Sequence, residues 1–309
     1  MRISPKHVAL FALIGGMAAA GAGSQVFGQM VAWKQMSNNN HVLDLQRSGG
    51  SPSEPGDVKI TYFGHSAMEI TSPRGVTLLV DPWRNDPSGA WGVWYKIQFP
   101  MTKVDIGLST HAHFDHDALD RLEAVMLLDR MAGSFSLADV KITGVADKHV
   151  CKAAGKIKWT DAVKEFGMEP CPPNNPTHMD NDLYVIETGG LKILVWGDNR
   201  PDPANEVWPR IENVDIAFLP VDGSGHILTP QQGDDIMKRL NAKVVIPIHY
   251  LVKPIAYSLT TLEPATDWVM SHDHQMLDQP EVTLNREMIK DKHGFIMYFG
   301  DNNKAAPSS

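Results

Sequence analysis

Thr110-His111-Ala112-His113-Phe114-Asp115-His116-Asp117 is the stretch on which the reading of this chain turns. Three histidines and two aspartates fall within the seven residues from His111 to Asp117. Imidazole nitrogens and carboxylate oxygens at this density suit zinc or another borderline divalent ion. Histidines two residues apart in a turn converge on one ion. The Asp-His pair that follows can turn towards a second ion about 3.5–4 Å away. A polar loop of hydrogen-bonded histidines is the bland alternative, and it does not ask for so many ligand types in so short a span.

Outward from this stretch, short apolar runs alternate with turn signals. The pattern predicts strands at Val58–Phe63, Met68–Thr71, Val76–Val80, Val104–Leu108, Val140–Val145, Leu183–Ile186, Leu191–Val195, Ile216–Leu219, Val244–Ile248, Val282–Leu284 and Phe295–Tyr298. Leu119, Leu122, Val125, Met126 and Leu127 predict a helix over Asp117–Met131. Thr229-Pro230 reads as a capped start of a second helix that runs to about Leu240. Polar clusters repeatedly follow the predicted strands, which places them on one rim of a sheet fold. A single α/β domain with sheets covered by helices accounts for the pattern.

His-x-His-x-Asp-His resembles the hallmark of the metallo-β-lactamase superfamily. The resemblance implies a four-layer αβ/βα sandwich and a metal centre that activates water. Two later segments match the same family in the expected order. Trp196-Gly197-Asp198-Asn199 resembles its Gly-Asp motif, whose aspartate bridges two ions. Val195 stands where relatives often carry histidine, which puts a supporting hydrogen bond in doubt but not the bridging carboxylate. Pro247-Ile248-His249-Tyr250 resembles the late Pro-x-His-Tyr segment, whose histidine binds metal. The third histidine of the first ion is either His149 or His178; His149 is favoured because it follows a predicted strand. The resemblance then implies one ion on His111, His113 and His149, a second on Asp115, His116 and His249, and Asp198 between them. Asp115 and Asp198 are the expected catalytic carboxylates. Zinc is the favoured ion, one or two per chain, with Mn2+, Ni2+ or Fe accepted by the same donors.

Gly64-His65-Ser66, Asp81-Pro82-Trp83 and Asp222-Gly223-Ser224-Gly225-His226 each follow a predicted strand. They look like the ascorbate-6-phosphate lactonase-like and broad metal-dependent hydrolase branch, with the N-acyl-phosphatidylethanolamine phospholipase D type as a related one. His65 is expected to orient a ligand carboxylate or touch substrate, Asp81 to hold a ligand in place, and Asp222 and His226 to line the pocket, with turn hydrogen bonds as the alternative for all four. Trp83, Trp91, Trp94 and Tyr95 read either as a wall over the site or as ordinary core. Ser271-His272-Asp273-His274 has a ligand-like composition, but it lies outside the family positions and reads as a polar loop.

Arg2, Lys6 and His7 precede an uncharged apolar run from Val8 to about Gly23. This reads as a secretory leader over residues 1–28, with an uncleaved anchor as the alternative. The mature protein is therefore expected in the periplasm or secreted, without stable membrane insertion once cleaved. Residues 29–56 read as a polar arm, 57–301 as the hydrolase domain, and 302–309 as a loose tail. In an oxidising compartment Cys151 and Cys171 either pair or stand as free thiols.

Hydrophobic residues make up 43% of the 309, which excludes a mostly disordered chain. Acidic residues number 36 against 28 basic, for a net charge of -8, which argues against a general nucleic-acid binder. The expected partner is a small molecule. The expected function is hydrolysis of an ester, lactone or phosphodiester by metal-activated water. A β-lactamase, a metal-dependent oxidoreductase and a non-catalytic binding protein are the competing classes.

Overall fold

The computed structural model describes residues 41–89, 92–150, 179–257 and 260–306. The expected leader, both cysteines, His178 and Trp91 lie outside these residues.

Among the described residues, fourteen strands form two sheets. The six-stranded sheet has the order β13-β1-β2-β3-β4-β5. Its strands are β1 (Val58–Gly64), β2 (Ala67–Thr71), β3 (Thr77–Val80), β4 (Thr102–Ser109), β5 (Leu122–Asp129) and β13 (Glu281–Leu284). The eight-stranded sheet has the order β12-β14-β11-β10-β9-β8-β7-β6. It contains β6 (Gly133–Leu137), β7 (Val140–Lys148), β8 (Asp180–Thr188), β9 (Leu191–Val195), β10 (Ile216–Pro220), β11 (Val244–Ile248), β12 (His274–Met276) and β14 (Phe295–Tyr298). One apolar core draws on both, from Ile60, Leu78 and Ile106 to Ile193, Phe218 and Ile246. The runs Ile216–Pro220 and Val244–Ile248 are buried at every position, as parallel strands covered on both faces must be.

Among the described residues the helices are α1 (His41–Ser48), α2 (Trp208–Ile211), α3 (Pro230–Leu240), α4 (Thr266–Met270) and α5 (Arg286–Ile289). The expected start of α3 is borne out. Thr229 and Gln232 form a reciprocal capping box, Pro230 occupies the first turn, and Asn241 closes the helix in the left-handed region. Gly233, Ile236 and Leu240 bury the inner face of α3. A Cβ on Gly233 would lie 2.8 Å from Val221 Cγ2, so only glycine admits this close approach.

The helix expected over Asp117–Met131 is not formed. A single 3-10 turn, Leu119–Arg121, leads into β5, which pairs with β4 in parallel from Thr102↔Leu122 to Ser109↔Asp129. Leu, Glu, Ala and Met favour a helix in isolation, but tertiary pairing overrides that preference. Leu122 and Ala124 are buried while Glu123 between them is exposed, the alternation of a strand. Gly107 makes room: a Cβ there would meet Leu127 Cδ2 at 2.6 Å and Leu122 Cδ1 at 2.8 Å.

The described parts of the arm and the tail bond to the rest of the fold. Within the expected arm, α1 buries Leu45, and the chain beyond it bonds to the β8–β9 turn through Gly56 N to Gly189 O and Gly190 N to Pro52 O. In the expected tail, Lys304 N donates to Tyr62 O at 2.7 Å and Asn302 Nδ2 to Leu277 O at 2.8 Å. The backbone groups of these segments find partners on the sheets, which polarity alone does not reveal.

Pairing directions decide where the site lies. β1 and β2 are antiparallel, as are β2 and β3, and β3 runs parallel to β4. β7 and β8 are antiparallel, as are β8 and β9, and β9, β10 and β11 run parallel. The C-terminal ends of β1, β3 and β4 therefore share one edge, and those of β7, β9, β10 and β11 share another. These edges meet where His249 N donates to His65 O at 2.9 Å and Asp182 N donates to Thr110 O at 2.9 Å.

Candidate metal centre

Each expected ligand leaves the C-terminal end of one of these strands, as do the expected supporting residues His65 and Asp81. His65 follows β1, Asp81 follows β3, and His111 to His116 follow β4. His149 follows β7, Asp198 follows β9 and His249 follows β11. The chain turns abruptly there. His65, Asp81 and His249 adopt left-handed backbone angles, with φ of 56°, 53° and 59°. Such angles in non-glycine residues cost energy and cluster at functional sites. Gly197 sits at φ +59°, and a Cβ on it would lie 2.6 Å from Asn181 Oδ1 and 2.7 Å from Thr110 Oγ1. Glycine is required there to present Asp198.

Two groups of four donors result. His65, Asp115, His116 and His249 form one; His111, His113, His149 and Asp198 form the other, with donor atoms in each group within 4.8 Å of one another. Asp198 reaches across both. Its carboxylate lies 3.5 Å from His149 Nε2 and 3.9 Å from His111 Nε2 on one side. On the other side it lies 3.2 Å from His249 Nε2 and 3.4 Å from His116 Nε2. Asp198 thus lies between the two groups, and His65 joins Asp115, His116 and His249 in the second of them. His149 lies in the first group, and its rival His178 lies outside the described residues.

The surrounding residues aim the donors. His116 Nδ1 donates to Asp81 Oδ2 at 2.9 Å, which turns its Nε2 lone pair into the site. Asp81 also accepts from Thr110 N at 2.7 Å and Thr110 Oγ1 at 2.8 Å. The Thr110 hydroxyl in turn lies 3.0 Å from His111 Nδ1. His149 Nδ1 donates to Val150 O at 2.6 Å. His65 Nε2 lies 3.1 Å from Asp115 Oδ2. Asn181, which the sequence reading passed over, accepts from Asp198 N at 3.1 Å and donates to Trp196 O at 3.1 Å. Its signal was available only as a polar residue inside an otherwise buried strand.

His226 packs on the centre, its ring stacked 5.4 Å from that of His249. Asp222 is buried in the same loop. Its carboxylate accepts from Ser224 Oγ at 2.5 Å, His226 N at 2.9 Å and Glu263 N at 3.0 Å, so it closes the loop that carries His226. A buried carboxylate next to free backbone N–H groups is bound by them first. Trp83 is core, stacked 4.3 Å from Tyr95, whereas Trp94 and Tyr95 face a recess beside His65.

The electrostatics follow from crowding. Burial, aided by the His249 charge, lowers His65 to about 4. Burial and then the adjacent His149 ring lower His113 to about 3. Burial also opposes charge on His116 and His249, but the carboxylates overcome it. Asp198, Asp81 and Asp115 raise His116 to about 9, and Asp198 with Asp115 raises His249 to about 10. Asp115 and Asp198 stay ionised far below the usual carboxylate range: burial works against them, and the His116 and His249 charges more than offset it.

These donors fit a metal centre. His116 Nε2, His249 Nε2 and Asp198 Oδ1 are buried and make no hydrogen bond, although they face one another. Buried polar atoms left in this state are costly unless something binds them. Imidazole and carboxylate, three or four to a group, match the donor set of zinc and similar divalent ions.

The fold and this site define a metallo-β-lactamase-type protein. The beta-lactamase superfamily domain model matches residues 59–249, well over half of the chain, and the chain belongs to that superfamily. It is 27% identical over 224 residues to a UPF0173 metal-dependent hydrolase of Thermodesulfovibrio yellowstonii, covering 65% of this chain and 81% of the relative. It is 28% identical over 212 residues to one from Pyrobaculum neutrophilum, covering 64% and 86%. A metallo-β-lactamase superfamily protein of Thermotoga maritima superposes with a TM-score of 0.54 over 78% of this chain and 98% of its own, at 23% identity, which shows the shared fold.

Proposed function

We propose that this chain is a metal-dependent hydrolase that cleaves an ester, lactone or phosphodiester bond of a small molecule. The observation that carries this reading is the pair of four-donor groups with Asp198 reaching both. The metal-dependent hydrolases among the relatives support it. His111, His113 and His149 would hold one ion, Asp115, His116 and His249 the other, and Asp198 would serve both. Divalent ions so bound lower the pKa of water to near neutrality and polarise the bond to be broken. Zinc is the proposed ion.

The remaining residues prepare the site. Asp81 fixes the His116 tautomer, and Thr110 links Asp81 to His111, so the nitrogens point inward before any ligand arrives. His65 steadies Asp115. The strained angles at His65, Asp81 and His249 are held by packing at the strand ends, which keeps the donors preorganised. Export is proposed on the apolar N-terminal run alone, and N-terminal sequencing of protein from the exported fraction checks it.

The test is elemental mass spectrometry of the purified protein combined with a panel of lactone, phosphodiester, ester and β-lactam substrates. Expected are about two ions per chain, activity abolished by a chelator and restored by zinc. A protein that takes up no divalent ion and hydrolyses nothing overturns the reading.

A further inference from the structure

Tyr95 carries a buried hydroxyl that makes no hydrogen bond. A phenol O–H placed out of water normally finds a partner, because leaving it unpaired costs about 1–3 kcal/mol. Its backbone is held firmly. Asn85 Oδ1 accepts from Tyr95 N at 2.8 Å, Asn85 Nδ2 donates to Tyr95 O at 3.0 Å, and Tyr95 bridges Ala256. Its ring is clamped too, stacked 4.3 Å from Trp83 and edge-on 5.7 Å from His65. The His65 ring that it meets lies in turn 3.1 Å from the Asp115 carboxylate. Burial first, and the Asp115 and Asp198 charges second, keep the phenol protonated far above the ordinary range, so it is a donor at every working pH.

Tyr95 also lines a narrow recess with Trp94, Tyr250, Val252, Ile255 and Leu262, and His65, itself one of the donors, lines it too. The lining is aromatic and aliphatic apart from the Tyr95 and Tyr250 hydroxyls, the His65 ring and Thr260. The Tyr250 hydroxyl is already used, donating to Gly300 O at 2.9 Å. Tyr257, which is exposed, donates its N–H to the O of the lining residue Trp94 at 2.8 Å.

We propose that the Tyr95 hydroxyl is a hydrogen-bond donor to the substrate oxygen that gains negative charge during cleavage, and that the recess receives a short apolar group of that substrate. The inference rests on the hydrolase reading and narrows it to esters or phosphodiesters with a small apolar substituent. A very polar substrate would leave this lining without a partner.

Tyr95→Phe removes the hydroxyl and keeps the ring. The expected result is a fall in kcat/KM of about 10²-fold, with zinc content unchanged and a Tm equal to or above the parent. A hydroxyl of merely structural use would lower the Tm instead. Binding supplies a readout independent of turnover. In zinc-loaded protein, Tyr95→Phe should weaken inorganic phosphate about tenfold. Butyrate should bind the parent about tenfold tighter than acetate, from two further buried methylene groups.

Equal phosphate affinity in parent and Tyr95→Phe overturns the donor role, and equal affinity for acetate and butyrate overturns the recess. A parent that hydrolyses esters while Tyr95→Phe is unimpaired overturns this inference alone. A parent that binds phosphate through Tyr95 but turns over no ester or phosphodiester upholds the donor and breaks the hydrolase reading. Zinc-loaded protein that binds neither phosphate nor carboxylate overturns both.

Discussion

His111–Asp117 and Ser271–His274 are written in nearly the same letters, and the fold treats them in opposite ways. The first leaves the buried end of β4, and its His111 and His116 are fully buried beside Asp115. The second follows α4 at the surface. There His272 Nδ1 donates to Trp268 O at 2.8 Å, its Nε2 lies 3.1 Å from Asp234 of α3, and His274 Nδ1 donates to His272 O at 2.8 Å. Every one of those ring contacts is local or ties one helix to its neighbour. The first cluster receives His149, Asp198 and His249 from three other strand ends. Density of ligand-type residues marks a candidate; convergence from distant chain segments makes a site.

The largest expected effect breaks the first cluster. Asp198→Ala should lose at least one ion per chain by elemental mass spectrometry and leave hydrolysis at background, since one carboxylate faces both groups. Full metal content and activity in this variant would dissolve the contrast between the two clusters. Asp81→Ala tests the aiming of the donors. It should weaken zinc about 10- to 100-fold in competition with a chromophoric chelator, because His116 loses the partner that sets its tautomer.

The next effect is read as stability against pH in chelated protein. His65 and His113 are depressed from 6.5 to about 4 and about 3, so the folded state binds fewer protons than the unfolded state below pH 6.5. Stability should therefore fall on acidification from 6.5 towards 4, by about 3 kcal/mol from His65 alone. His116 and His249 are raised to about 9 and about 10, so their stabilisation is complete below pH 6.5 and is lost as pH rises through those values. Urea midpoints should peak near pH 6.5. Zinc takes the place of the protons on His116 and His249, so the alkaline decline should vanish in loaded protein. The smallest effect belongs to the second cluster. His272→Ala should leave the zinc content unchanged and cost under about 1 kcal/mol in urea melts, as expected of a partly exposed pair.

Much of the frame was legible. The runs Leu191–Val195, Val244–Ile248 and Phe295–Tyr298 form strands with those same bounds, since continuous β-rich apolar runs flanked by turn residues leave little choice. Asp117–Met131 was misread because Leu-Glu-Ala-Val-Met-Leu-Leu suits a helix, and only the free edge of β4 converts it into β5. β6 and β12 escaped notice because Gly133–Leu137 is largely exposed and His274–Met276 is short.

Within the site, the donors on turns after strong strands were legible, while Asn181 and the hydroxyl of Tyr95 were not. Asparagine and tyrosine are unremarkable until it is known what surrounds them.

The amino-acid sequence by itself determined the donor types, their places at strand ends and the membership of a superfamily. Those features are written over a few residues each, in hydrophobic period and motif spacing. The tertiary structure alone decided that Asp198 reaches both groups, that Asp222 serves its own loop, that β5 is a strand, and that the Tyr95 hydroxyl lies unpaired beside the centre. Each of these depends on how the two sheets meet, and that is set by packing between residues far apart in the chain, which no local pattern encodes.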